Sequence, residues 1–176
     1  MATKQFSFAA KEFFKPKDSF GGSLLKNSHA KTSRPIESKL PIHIVLRAKK
    51  SVMRLPKTIA IVDNNVDRIC KKHGVTLYKY ANVGNHLHLL IKLPRRQRWA
   101  PFIRELTGRV AQLTKNALGL DEAFWSQRPY TRIVRGWQKA FQIAKDYVEL
   151  NWLESQGFIS RKETKTLKSL REIWDG

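Results

Sequence analysis

Val75-Thr76-Leu77-Tyr78-Lys79-Tyr80, Asn82-Val83-Gly84-Asn85 and His86-Leu87-His88-Leu89-Leu90-Ile91 follow one another almost without interruption. The outer stretches are β-branched, aromatic and apolar, whereas the middle one is made of turn formers. They predict two antiparallel strands joined by a tight turn, the second running to Leu93 and closed by Pro94. Working upstream, Leu40-Pro41-Ile42-His43-Ile44-Val45-Leu46 reads as another strand. Pro56 suits the first turn of a helix that carries Ile59, Val62, Val66, Ile69 and Cys70 at helical spacing and stops at Gly74.

Downstream, Phe102, Leu106, Val110, Leu113 and Ala117 form one stripe of a helix over 100–118, with Gly119 after it. Tyr130-Thr131-Arg132-Ile133-Val134 reads as a further strand between Pro129 and Gly136. A last helix over 138–155 places Phe141, Ala144, Tyr147, Val148 and Asn151 on adjoining rows. The order is strand, helix, strand, strand, helix, strand, helix. That is the α+β, ferredoxin-like split βαβ arrangement: one antiparallel sheet of four to five strands with helices mainly on one face. Residues 1–38 read as a basic N-terminal arm without sustained period, 39–158 as the domain, and 159–176 as a charged C-terminal helix or tail.

The chain has 176 residues, 41% of them hydrophobic, which is enough for one domain with a real core. Its formal net charge is +20. So basic a surface repels itself unless a polyanion is the partner, and nucleic acid is the usual one. The basic residues are spread along the whole chain and do not line one amphipathic helix, which argues against a membrane surface. The single cysteine, Cys70, excludes an internal disulfide and a cysteine-built zinc site, and its place in an apolar helical pattern reads as core. No apolar run reaches the length of a bilayer span and no secretory leader is visible, so the expected location is the reducing cytoplasm.

A fold of this class hosts many functions, so chemistry must be read from the site. His86 and His88 project from the same face of a strand, roughly 6.6 Å apart along the backbone. They are either polar residues on a wet face, with Leu87 and Leu89 buried, or a pair that holds a metal ion or a phosphate. Two histidines do not fill a coordination shell. Tyr147 and Asn151 lie one turn apart on one helical face, and the Asn151 carbonyl could complete a site for Mg²⁺ or Mn²⁺. A tyrosine on an amphipathic helix is by itself an ordinary packing residue, and a phenol is a poor nucleophile until it loses its proton.

The set Asn85-His86-Leu87-His88-Leu89-Leu90, Phe124-Trp125, Tyr130-Thr131-Arg132-Ile133-Val134-Arg135 and Tyr147-Val148-Glu149-Leu150-Asn151 resembles the REP-associated tyrosine transposases. These are a branch of the single-tyrosine HUH transposases, named for a His-hydrophobe-His motif. The resemblance spans about residues 40–158. It implies that 39–158 is an HUH transposase/endonuclease domain in which His86, His88 and Asn151 bind the divalent metal. Tyr147 would be the nucleophile, becoming linked to the 5′ phosphate of single-stranded DNA and leaving a free 3′ hydroxyl. It also implies a bacterial cytoplasm or nucleoid, and hairpin-structured single-stranded DNA as partner. Two departures mark a divergent subgroup: Asn151 is followed by Trp152-Leu153-Glu154 where members often continue Asn-Pro, and Val83-Gly84 stands where Met-Pro is frequent. Glu149 and Glu154 are alternative ligands, Glu149 the weaker because it faces away from Tyr147 on a helix.

Arg95, Arg96, Arg98, Arg104, Arg128, Arg132 and Arg135 fit a hairpin-binding role; Trp99, Trp125 and Trp137 lie among them, Trp99 the best candidate for base stacking and Trp125 assigned to the core. His29, His43 and His73 have no partner pattern, although His43 lies on a strand expected to neighbour the motif strand and could support a metal ligand from behind. Two other classes of function remain open on the residues alone: a nucleic-acid-binding module that does not cut, and a metal-independent ribonuclease using histidine as acid or base. The sequence leaves monomer and homodimer equally open.

Overall fold

The hairpin read from the sequence forms the middle of the structure. The computed structural model describes residues 18–22, 33–136 and 138–160. Strand β1 is Ser19–Phe20, β2 is Ile42–Arg47, helix α1 is Ile59–Lys72, β3 is Thr76–Asn82 and β4 is His86–Lys92. A 3₁₀ turn at Arg96–Arg98 leads into α2, Trp99–Leu118, followed by β5, Tyr130–Ile133, and α3, Lys139–Gln156. The strands form one antiparallel sheet in the order β1-β5-β2-β4-β3.

Alternation along the strands divides the protein into layers. Ile42, Ile44 and Leu46 of β2 and Leu87, Leu89 and Ile91 of β4 point to one face, where they pack on Val62, Val66 and Ile69 of α1 and Phe102, Leu106 and Val110 of α2. Each fully buried side chain of this size contributes about 1.5–3 kcal/mol. The other face is narrower: Ala81 and Leu90 meet Ala140, Ala144 and Val148 of α3. Two helices therefore cover one face and the third lies alone on the opposite one. A register shift between Leu77 and Lys79 lets Leu77 and Tyr80 both pack in the larger core while Tyr78 turns to Phe141 of α3.

Helix ends fall where glycine allows a left-handed residue. Gly119 (φ 65°) caps α2 and Gly157 (φ 78°) caps α3. Cys70 is buried in the larger core, and burial pushes its thiol up to about 12, as expected of a packing residue. His73 bonds Glu105 at 2.9 Å and serves the contact between α1 and α2.

Most of the arm expected over 1–38, together with 161–176 of the expected tail, Trp137 and His29, lies outside the described residues. Part of that first segment is not an arm. Ser19–Phe20 pairs with Thr131 and Arg132 as the edge strand, and Arg34 lays its guanidinium over the Phe20 and Trp99 rings. A two-residue strand is too short to show periodicity, which is why the sequence pattern missed it.

Candidate active site

Odd-numbered residues of β2 and even-numbered residues of β4 share the face turned to α3. That places His43, Val45 and Arg47 beside His86, His88 and Leu90. Arg47 is the direct cross-strand partner of His86, and Val45 of His88. The two motif rings stand 4.6 Å apart, centroid to centroid. His88 is almost completely buried, whereas His86 is half-buried at the edge of a cleft.

The turn that feeds this strand is tightly held. Asn82 donates from Nδ2 to the Met53 carbonyl at 2.8 Å and accepts at Oδ1 from the Gly84 amide at 3.1 Å. Gly84 has φ +93°, and a Cβ there would lie 2.7 Å from Ser51 Oγ. Gly84→Ala is therefore expected to cost about 1–3 kcal/mol. A thermal melt should show this as a loss of several degrees, and an unchanged midpoint would show that the turn relaxes freely.

Hydrogen bonds orient both imidazoles. Asn85 Oδ1 lies 2.5 Å from His86 Nδ1. An amide oxygen only accepts, so His86 carries its proton on Nδ1 and keeps a lone pair on Nε2. His88 Nδ1 lies 3.2 Å from His43 Nε2, the rings stacked with an interplanar angle of 5°. Burial, reinforced by the Arg132 charge, lowers His43 to about 4, so it is neutral near pH 7 and able to accept. With His88 Nδ1 as donor, the lone pair of His88 falls on Nε2, a tautomer that could ligate a metal ion.

Helix α3 brings the remaining groups. Small residues Ala140 and Ala144 allow it close to the sheet, Lys79 pairs with Glu149, and Arg54 clamps its far end by bonding the Ser155 carbonyl and Gln156 Oε1. Docked so, the Tyr147 ring stands edge-on to both His43 and His88 at 5.5 Å. One turn on, Asn151 is buried and donates from Nδ2 to the Tyr147 carbonyl at 2.6 Å, so Oδ1 is the atom it could offer to a cation. Tyr147, Asn151, Glu154, His86, Asn85 and Arg47 line one cleft of about 770 Å³, together with Val83, Ser155, Ile159 and Ser160.

Among the described residues no three of His, Cys, Asp and Glu form a metal-binding group. A site here would draw on two imidazole nitrogens and an amide oxygen, with the Glu154 carboxylate on the same cleft wall. That mixed nitrogen and oxygen set fits a divalent ion such as Mg²⁺ or Mn²⁺. Glu149, engaged by Lys79, is not part of it.

The structure brings together His86, His88, Tyr147 and Asn151. It does not gather the arginines around them. Arg95, Arg96 and Arg98 are exposed beyond the opposite end of β4, which lies about 20 Å along the strand from His86. Arg104 is exposed on α2, across the sheet from the cleft. Arg128 is exposed just before β5, Arg132 bonds Ser19 Oγ at 3.0 Å, and Arg135 pairs with Asp18 at 2.8 Å. Trp99 packs against the core beneath Arg34, with one ring face already covered. Trp125 donates to the Thr107 carbonyl and is structural. His43 takes the supporting place behind a motif ring that its strand suggested, whereas Arg47 belongs to no motif; β-strand parity relative to the motif pair puts both on the histidine face.

Among the described residues no helix is long and apolar enough to cross a membrane. No curated protein matches the chain. Among solved structures, it is similar to the REP-associated tyrosine transposase bound to a REP hairpin, with 14% identity over 74% of this chain and 76% of that one, and a TM-score of 0.59. A putative transposase from Deinococcus radiodurans also matches, at 16% identity over 69% of this chain and 97% of that one, with a TM-score of 0.46. The family model described as transposase, IS200 like, matches residues 37–151, a span that contains β2 to β5 and Tyr147. The chain belongs to the IS200-like transposase family.

Proposed function

We propose that this transposase is a metal-dependent single-strand DNA endonuclease and strand transferase that acts at hairpin-like DNA ends through Tyr147. The observation that carries this reading is the placement of the Tyr147 ring edge-on to His88, in the cleft that His86 and Asn151 also line. One nucleophilic tyrosine per chain would cut one strand at a time.

His86, His88 and Asn151 would hold Mg²⁺ or Mn²⁺, whose chemistry when bound is Lewis-acid polarisation of the scissile phosphate. Asn85 and His43 fix the imidazole tautomers. Tyr147 gives its phenolic proton to water and its oxygen bonds phosphorus. The P–O3′ bond breaks and its electron pair leaves with the 3′ oxygen, which takes up a proton to become a hydroxyl. The phosphodiester on Tyr147 conserves the bond energy, so rejoining to another 3′ hydroxyl needs no ATP.

The solved relative carries a REP hairpin, and the net charge of +20 suits such a partner. Arg95, Arg96, Arg98 and Arg104, remote from the cleft, would then grip the hairpin's phosphates, while Arg128, Arg132 and Arg135 flank the β5 edge. Trp99 contributes by shaping that end of the molecule.

The test is incubation with end-labelled hairpin oligonucleotides and Mn²⁺, resolved on a denaturing gel. A 3′ label should migrate with protein, a 5′ label should appear on a released fragment with an extendable 3′ hydroxyl, and EDTA should suppress both. Binding across a pool of hairpins with no adduct would favour a non-catalytic module. RNA cleavage that survives EDTA would favour a ribonuclease. His43→Ala should raise the Mn²⁺ concentration for half-maximal adduct formation by about 10–100-fold, with the rate recovered at saturating Mn²⁺. An unchanged Mn²⁺ dependence would remove His43 from the site.

A further inference from the structure

Arg47 occupies a position that the metal ligands and the nucleophile do not explain. It is the cross-strand partner of His86 on the α3 side of the sheet, so their Cβ atoms are expected about 4.5–5.5 Å apart. It is exposed and lines the same cleft as His86, Tyr147 and Asn151. Its backbone is immobilised: its carbonyl accepts from the Ser126 amide at 2.8 Å and the Ser126 hydroxyl at 3.1 Å, and the following amide, Ala48, donates to the Asn85 carbonyl at 2.8 Å.

What sets Arg47 apart is that its guanidinium makes no hydrogen bond or ion pair among the described residues. Other arginines nearby are committed to the fold. Arg54 clamps the end of α3, Arg34 bonds Thr131 and the Phe20 carbonyl, Arg132 bonds Ser19 and Arg135 pairs with Asp18. A cation held on a rigid strand, one strand spacing from a candidate metal ligand, opens onto a cleft that also contains a nucleophile.

Resting on the function proposed above, we infer that Arg47 is a catalytic cation that binds a non-bridging oxygen of the scissile phosphate. As Tyr147 Oη bonds phosphorus and the P–O3′ bond breaks, negative charge builds on the non-bridging oxygens. The planar guanidinium can meet two of those oxygens with parallel N–H donors. Arg47 neither gives up nor takes a proton.

The test measures single-turnover adduct formation at saturating hairpin DNA and Mn²⁺ for wild type, Arg47→Ala and Arg47→Lys, on two substrates. One substrate is the ordinary phosphodiester; the other carries a neutral methylphosphonate at the cut. On the phosphodiester, Arg47→Ala should lose about 100-fold or more in rate, with Arg47→Lys between it and wild type. On the methylphosphonate the deficit should shrink to within a fewfold, because the charge that Arg47 opposes is gone. An equal loss on both substrates would overturn the assignment, as would an unchanged saturating rate with weakened binding alone. Wild-type protein that forms no adduct on either substrate would overturn the proposed function and this inference together. A reactive wild type matched by Arg47→Ala would overturn only the role of Arg47.

Discussion

Tyr147→Phe is expected to abolish the covalent DNA adduct while leaving hairpin binding in EDTA within about twofold of wild type. The substitution removes one oxygen and keeps the ring that stands edge-on to His43 and His88 at 5.5 Å. The contacts that dock α3 come from Ala140, Ala144, Val148, Lys79–Glu149 and Arg54, so the helix should hold its place. No second tyrosine can substitute. Tyr80 is tied to Asp63 at 2.8 Å in the larger core, Tyr78 packs on Phe141, and Tyr130 bonds Ser19 at the β5 edge. Loss of the nucleophile should therefore lower adduct formation by on the order of 10⁴-fold or more. A denaturing gel beside an equilibrium binding titration reads both halves. Residual adduct near wild-type level would place the nucleophile elsewhere and sink the mechanism.

The second large effect is expected from His88→Ala, which should fail in two ways at once. It removes a candidate ligand, and it strips a buried neighbour from His43, whose Nε2 meets His88 Nδ1 at 3.2 Å. Leaving that nitrogen buried without its partner costs about 1–3 kcal/mol, and the ring's volume adds a cavity term. His86→Ala removes the other candidate ligand from a half-buried position, so it should lose comparable activity at a smaller cost in stability. Thermal melts and adduct assays on the two variants separate these contributions. Equal destabilisation by both would contradict the difference in burial. Wild-type adduct yield from either would contradict the metal site.

The fold was largely legible because its signals are local. The β3–β4 hairpin, both strands of the β2–β5 pair and all three helices follow from alternation, helical spacing and the punctuation at Gly74, Pro94 and Gly119. The pairing of His86 with His88 on one face, and of Tyr147 with Asn151 on another, follows from the same two periods. Strand β1 was invisible because two residues carry no period. The arginines misled in a different way. Closeness in sequence put Arg95, Arg96 and Arg98 next to the motif strand, but a strand advances about 3.3 Å per residue, and seven residues carried them to its far end.

By itself, then, the sequence determined which side chains share a face, since that depends only on backbone repeat. Only the tertiary structure decided which faces meet. Placing α3 alone against the α3-side of β4 brings Tyr147 to His88, and the register of β2 against β4 sets His43 behind one motif histidine and Arg47 beside the other. These juxtapositions join residues 39 to 59 positions apart in the chain, and no local period can encode a contact made by packing and strand register.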